Sequence, residues 1–298
     1  MWLDAVCPGS WDAVTIEERG HTLARLPYIL KAWGGFKVLS VPMLTPWLGP
    51  WIARGTGKYQ TELAREHDLL GKLFDKLPAV DAATIPAAPE QMNLLPSYWR
   101  GYDLKLRYTY RLALDRPLDL IWREANQTTR VKVRKASERL SVASSEDIAQ
   151  VDRLLAATYR RQGLPPPRLA AVIARILGCP WLEGHRELLI ARDEQGLAHA
   201  FALLVWDARH SFYVIGGADP GLRSSGAQPL LLWRAIERSH SRSMVFDFEG
   251  SMKEGIERAF RDFGAVQTPY VIAMRQRTLL GLGHGLFQSL KRAALRPG

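Results

Sequence analysis

The residues of this 298-residue chain best suited to chemistry are two acids and a loop near its C-terminal end. Asp247 and Glu249 alternate with Phe246 and Phe248, so on a strand both carboxylates share one side and both rings the other. Facing a cleft, such a carboxylate serves as a general base or binds an ammonium group; facing solvent, it only solubilises or caps the helix that follows. The spacing leaves both open. Upstream, Gly216 to Ala227 is rich in glycine and serine and is expected to join a strand to a helix beginning near Pro229. Backbone N–H groups from such a loop, together with a helix N-terminus, converge on an anion, and Gly216, Gly217, Arg223, Ser224, Ser225 and Gly226 are the candidate phosphate contacts. Neither G-x-x-x-x-G-K-[ST] nor G-x-G-x-x-G occurs, which gives no support to a nucleotide triphosphatase or a Rossmann enzyme.

Charge supplies a second candidate surface. The formal charge is +10. From Arg100 to Arg139 there are 11 Lys/Arg against 5 Asp/Glu, and from Arg275 to Gly298 there are 5 Lys/Arg and no acid, so these two segments hold essentially all of the excess. A helix opened by Pro117 is expected to line up Arg123, Gln127, Arg130 and Arg134 as one basic stripe, and Arg123, Arg130 and Arg134 are the candidate polyanion contacts. A solvated face is the plainer reading of the same stripe. Cys7 and Cys179 have no metal-ligand spacing and the seven histidines are scattered, so no metal and no Ser-His-Asp triad are expected. No run reaches the length of a bilayer span and the first residues lack a basic, apolar leader, which places the expectation at a cytoplasmic protein.

The elements that must position these residues read as strands and helices in alternation. Ala13–Gly20 with Leu23–Tyr28 forms a hairpin pattern with an acidic turn ending in glycine, and Leu188–Gly196 with Ala198–Trp206 repeats it. Each pattern opens roughly half of the chain, which suggests two similarly folded halves. Between them come a strand at Phe36–Val41, a helix at Tyr59–Leu77, an Ala/Pro-rich connection at Pro78–Pro89, a strand at Leu104–Leu114 and the basic helix. An N-cap signal at Ser144–Asp147 sets the expected boundary, giving 1–142, 143–275 and a basic tail 276–298. The tail's Leu279, Leu280, Leu286, Phe287 and Leu290 with Lys291, Arg292 and Arg296 offer a basic amphipathic segment for peripheral contact with a membrane. Gly281, Gly283 and Gly285 argue against a stable helix there and favour packing onto the body or disorder.

The order helix, helix, three strands, loop-helix, strand, helix, strand, with Arg223-x-x-Gly226-Ala227 at the loop, resembles the GNAT acyltransferase superfamily. Thr129-Arg130 to Arg134-Lys135-Ala136, Leu232-Trp233-Arg234-Ala235-Ile236, Phe246 to Ser251 and Phe260-Arg261-Asp262-Phe263-Gly264 resemble its branch containing the Fem-type peptidoglycan aminoacyltransferases. The resemblance implies an α/β (α+β) fold of two GNAT-like halves, each a mixed, mostly antiparallel sheet flanked by helices, with 143–275 holding the acyl-donor site. It implies amide formation by transfer of an acyl or aminoacyl group from acyl-CoA or aminoacyl-tRNA to an amine on a small molecule or peptide, with tRNA as a possible partner. The superfamily loop [QR]-x-x-G-x-[GA] registers Arg223 and Gly226 but meets Gln228 at its last position. Arg261 stands where Fem-type enzymes carry lysine, which keeps the charge and changes its geometry. Catalytic roles are thus expected for Glu249 as base, Asp247 as acceptor contact and Arg261 as electrostatic stabiliser. The rival is a GNAT-fold protein without activity that binds RNA or an anionic membrane surface.

Overall fold

The computed structural model describes residues 2–276 except 34, 162, 164, 166–168 and 251. The basic tail from 277 onward, and Ser251, therefore lie outside the described residues. The fold is mixed α/β, and the chain divides into two compact units: Gly9–Arg107 with the chain from Pro269 onward, and Met1–Pro8 with Tyr108–Thr268.

In the first of these, the expected hairpin is present as strands Asp12–Glu18 and His21–Trp33, turning where Arg19 and Gly20 both take positive φ. Strand Phe36–Ser40 pairs antiparallel with His21–Trp33 and parallel with Ala82–Pro86, which in turn pairs antiparallel with Val266–Gln276. Helix Tyr59–Asp75 buries Leu69, Leu70, Leu73 and Phe74, the apolar side of its helical period, in a core with Leu26, Leu39 and Ile85. The expected connection 78–89 is thus corrected: Ala83 and Ile85 alternate as buried strand positions, a pattern too short to stand out among alanines and prolines.

The second unit carries the candidate chemistry. Its strands run in the order Asp103–Ala113, Val245–Asp247, His210–Ala218, Ala198–Trp206, Arg186–Arg192, Ser141–Ser144, all antiparallel except the parallel pair Val245–Asp247 with His210–Ala218. Buried residues of these strands, among them Leu112, Leu189, Ala202, Leu204 and Phe246, pack with Leu230, Leu231, Ala235 and Ile236 of helix Ala227–His240. Helices Ile148–Arg161 and Leu169–Gly178 are amphipathic and bury Val151, Leu154, Leu155, Val172, Ile173 and Ile176.

The boundary expected at 142 gives way to one at 107. Ala113, Leu112 and Arg111 register against Val245, Phe246 and Asp247, and helix Gln127–Ser137 buries Thr129, Val133 and Ala136. Pairing between distant segments, invisible to local patterning, draws 108–137 into the C-terminal unit. The single basic helix is corrected too. It is two helices, Leu118–Glu124 and Gln127–Ser137, broken where Asn126 leaves helical geometry and its side chain accepts a hydrogen bond from Thr128 N–H. Among the described residues, no helix is long and apolar enough to cross a membrane and no His/Cys/Asp/Glu group could hold a metal ion.

Candidate active site

The parallel pairing of His210–Ala218 with Val245–Asp247 lasts for three residues and ends at Phe212 opposite Asp247. Beyond that point one strand continues to Ala218 while the other leaves the ladder, so an opening forms at the C-terminal ends of two parallel strands. The candidate acids sit at this divergence. They do not share one face of a strand as alternation predicts, because the strand stops at Asp247 and Glu249 takes the left-handed conformation at φ +56°. A residue other than glycine in that region is strained, and such strain concentrates at functional sites.

Asp247 is fully buried. Thr109 Oγ1 donates to its Oδ1 at 2.5 Å, Arg111 Nε donates to Oδ2 at 2.6 Å, and the backbone N–H of Glu249 donates to Oδ1 at 2.9 Å. Both oxygens are thus engaged, and the carboxylate acts as a clamp that fixes the turn at Glu249. Gly250 follows with φ +51° in a place where a Cβ would lie 2.2 Å from Tyr108 O, so no larger residue fits. Glu249 keeps part of its surface exposed, yet its carboxyl is desolvated; burial first, and repulsion by Asp247 second, push its pKa well above the ordinary carboxylate range.

Tyr213 stands across the opening on the longer strand, almost wholly buried. Gln228 Nε2, in the first turn of helix Ala227–His240, donates to its hydroxyl at 2.8 Å. Burial raises the Tyr213 pKa; the Gln228 hydrogen bond lowers it and the nearby Glu249 charge raises it, with a net upward shift. Phe260 meets the Tyr213 ring edge-on at 6.2 Å and lies 4.9 Å from Phe248, completing an apolar wall. A desolvated carboxyl, a phenol held by an amide, and an apolar wall thus lie together, groups of the kind that general acid–base chemistry employs. Sequence reasoning read Tyr213 as more often a core aromatic than a proton donor, and it missed the roles of Gln228, Thr109 and Arg111. Gln228 did signal itself as the departure from the loop pattern, whereas the role of Thr109 and Arg111 depends on a pairing 136 to 138 residues away.

The expected phosphate loop is shorter than predicted. Gly216 and Gly217 belong to the strand, registered against Ala202 and Phe201, and are small for packing reasons: Cβ atoms there would come within 1.8 Å of the Tyr213 hydroxyl and 2.7 Å of the Phe201 ring. The true loop is the turn Pro220–Ser225, braced by Asp219, whose side chain accepts from Gly221 N–H and from Arg153 Nη1 at 2.9 Å. Arg223 and Ser224 are exposed on it, and Ser225 Oγ accepts from Ala227 N–H. Gly226, at φ +74°, opens the helix against Ala136 and the Lys132 carbonyl, where a Cβ would be 3.1 Å from Ala136 Cβ.

The arginine stripe is not continuous. Arg123 lies on the shorter helix, exposed and 3.2 Å from Asp119. Arg134 stacks over Trp122 at 5.9 Å, and Arg130 is half-buried with an Nε that finds no hydrogen-bond partner among the described residues. Arg261 is exposed and its Nε donates to Glu257 at 2.8 Å, so the structure pairs it with Glu257 rather than with Asp247 or Glu249.

Residues 123–258 match the family model of the acetyltransferase (GNAT) domain. The match begins inside the segment that sequence patterning assigned to the first half, in agreement with the boundary seen in the fold. No curated protein matches by sequence. Among solved structures, the chain is similar to FemX, with TM-score 0.65 and 14% identity over 91% of this chain and 90% of that one. It is similar to the C-terminal domain (DUF2156) of a putative lysylphosphatidylglycerol synthetase from Agrobacterium fabrum, with TM-score 0.61 and 12% identity over 95% and 90%. A tandem GNAT protein from the clavulanic acid biosynthesis pathway follows with TM-score 0.52 and 10% identity over 92% and 86%. At these identities the likeness is one of fold.

Proposed function

Starting from a GNAT acetyltransferase domain at residues 123–258, we propose that the protein is an N-acyltransferase that forms an amide, with Glu249 as the base that frees the acceptor amine. The observation that carries this reading is the Glu249 carboxyl: desolvated, pKa raised, and fixed by Asp247 at the point where the parallel strands diverge. Burial and the Asp247 charge raise the proton affinity of the Glu249 carboxylate, which favours its taking a proton from an amine. In the reaction Glu249 takes one proton from the acceptor ammonium and the amine nitrogen attacks the donor carbonyl. The tetrahedral intermediate then expels a thiolate, if the donor is acyl-CoA, or a ribose alkoxide, if it is aminoacyl-tRNA. The Tyr213 phenol, which accepts a hydrogen bond from Gln228 Nε2, gives its proton to that leaving group and recovers one from the new amide nitrogen, so that a neutral amide, a protonated leaving group and a neutral Tyr213 result.

GNAT domains in general use acyl-CoA, and Arg223, Ser224, Ser225 and Gly226 at the start of helix Ala227–His240 are the groups that would meet its pyrophosphate. The exposed Arg123 and Arg134 suit an RNA donor instead. The name FemX and that of a lysylphosphatidylglycerol synthetase domain both fit transfer of an aminoacyl group, which keeps aminoacyl-tRNA beside acyl-CoA as donor. An amine-bearing small molecule or peptide is the acceptor. A thermal-shift screen against acyl-CoA species and charged tRNA, followed by a radiolabelled transfer assay with the stabilising donor, tests the reading. Stabilisation by one donor, with turnover that Glu249→Gln removes, supports it. Binding without turnover for any amine offered would favour a binding protein that keeps the fold.

A further inference from the structure

A cavity of about 530 Å³ opens at the other end of the same unit's sheet, away from the divergence at Asp247. Trp206 registers against Ser211, at the end of strand His210–Ala218 opposite to the Tyr213–Glu249 opening, and lines the cavity together with the start of strand Arg186–Arg192 and the end of strand Ser141–Ser144. The amide-forming chemistry uses nothing in this region.

Its centre is Glu187, whose side chain is only 9% exposed. Ser144 Oγ and Arg238 Nη1 donate to Glu187 Oε1, and Arg242 Nη1 donates to Oε2 at 2.8 Å. Burial alone would raise the Glu187 pKa, but the hydrogen bonds from Ser144 and Arg242 and the two arginine charges outweigh it and hold the carboxyl below its ordinary value. Arg242 is also stacked on the Trp206 ring at 4.2 Å, so one guanidinium is fixed on both its edge and its face. Arg186 lines the cavity, and its Nε donates to the Ile176 carbonyl at 2.7 Å. A guanidinium carries five N–H donors, and the bonds described use few of them. The walls between are Trp206, Leu177 and Leu188. The exposed Glu146 at the rim opposes a multiply charged anion.

We propose that this cavity binds a small organic monoanion, a carboxylate or phosphodiester on an apolar body, with Arg186 and Arg242 holding the oxygens and Trp206 packing the body. Preorganised guanidiniums lose little freedom on forming such contacts, and a planar fork matches both groups. The site is independent of the donor loop and of Glu249.

Isothermal titration of the full chain with N-acetyl-L-phenylalanine, as the carboxylate, and with cyclic AMP, as the phosphodiester, tests it, with phenylalanine amide as the cationic control. Saturable binding of one or both anions is expected, none of the cation, and Arg186→Met should weaken the affinity by about tenfold or more. Arg186→Lys keeps charge and stem but loses the fork, and serves if Arg186→Met melts anomalously; it too should bind more weakly. Glu249→Gln should bind as the parent does. Neither anion saturating by about 10 mM, equal binding by both Arg186 variants, or loss of binding in Glu249→Gln would overturn the proposal.

Discussion

Replacing Glu249 by glutamine separates a functional carboxyl from a structural one, because the two make opposite demands on stability. The folded-state pKa of Glu249 is raised by burial and by the neighbouring Asp247 charge, whereas an unfolded glutamate titrates near ~4.3. Below that pH both states are protonated and the residue is neutral in the balance. As pH rises toward the folded pKa, the unfolded chain has already released its proton and the folded chain has not, so stability falls; above the folded pKa the loss is complete and constant. Each unit of elevation is worth about 1.4 kcal/mol, or about 3–6 °C of melting temperature for a chain of this size. Glutamine is neutral at every pH and nearly the same shape. Glu249→Gln should therefore melt with the parent near pH 4 and above it at pH 8, while amide-forming turnover falls by about 100- to 10,000-fold. Scanning fluorimetry across pH and the radiolabelled transfer assay give both halves. A variant that melts lower than the parent at pH 8, or one that retains full turnover, would refute the assignment of Glu249 as base.

The other expectations concern the residues around it. Asp247→Asn removes the charge that Arg111 pairs with and turns an amide NH2 toward either Arg111 or the Glu249 N–H, and breaking such a buried pair costs about 3–5 kcal/mol, so chemical denaturation should show a large loss of stability where Glu249→Gln shows none. Gly216→Ala places a methyl on the Tyr213 hydroxyl; ejecting that ring should break the Gln228 hydrogen bond and lower kcat, with about 1–3 kcal/mol of destabilisation from overpacking, read by activity and melting together. If the donor is tRNA, Arg123→Gln with Arg134→Gln should weaken its binding and reduce the slope of log affinity against log salt by about two, with the melting temperature nearly unchanged because both residues are exposed. An unchanged salt slope would remove those arginines from the donor site.

Local pattern carried far in this chain because most of its elements announce themselves within a dozen residues. The two hairpins, the helix Tyr59–Asp75 and the loop-to-helix transition at Gly226 all follow from period, turn chemistry and capping. What could not be read locally was pairing. Strand Asp103–Ala113 looks the same whether it closes one unit or opens the next, and only its register against Val245–Asp247 decides. The same pairing brings Thr109 and Arg111 to Asp247 and turns an apparent second catalytic acid into a clamp. Alternation also misled at Glu249, since it assumes that a strand continues; the strand ends at Asp247, and the positive φ that follows is what aims the second carboxyl.

Gln228 shows how a departure from a family pattern can be informative. A glycine or alanine there would leave the start of the helix to the donor alone. With glutamine, the helix start is tied by one 2.8 Å hydrogen bond to the Tyr213 hydroxyl, which lies over Gly216 because that position has no Cβ. The next residue, Pro229, brings no N–H, and the Ala227 N–H already goes to Ser225, so the helix offers an anion fewer donors than an ordinary first turn. The Gln228 side chain thus ties the first turn of helix Ala227–His240 to the strand that carries Tyr213. Under the proposed function, a donor held at Arg223 to Gly226 would meet the same helix turn that Gln228 ties to Tyr213, so one side chain would link the donor loop to the proposed proton donor.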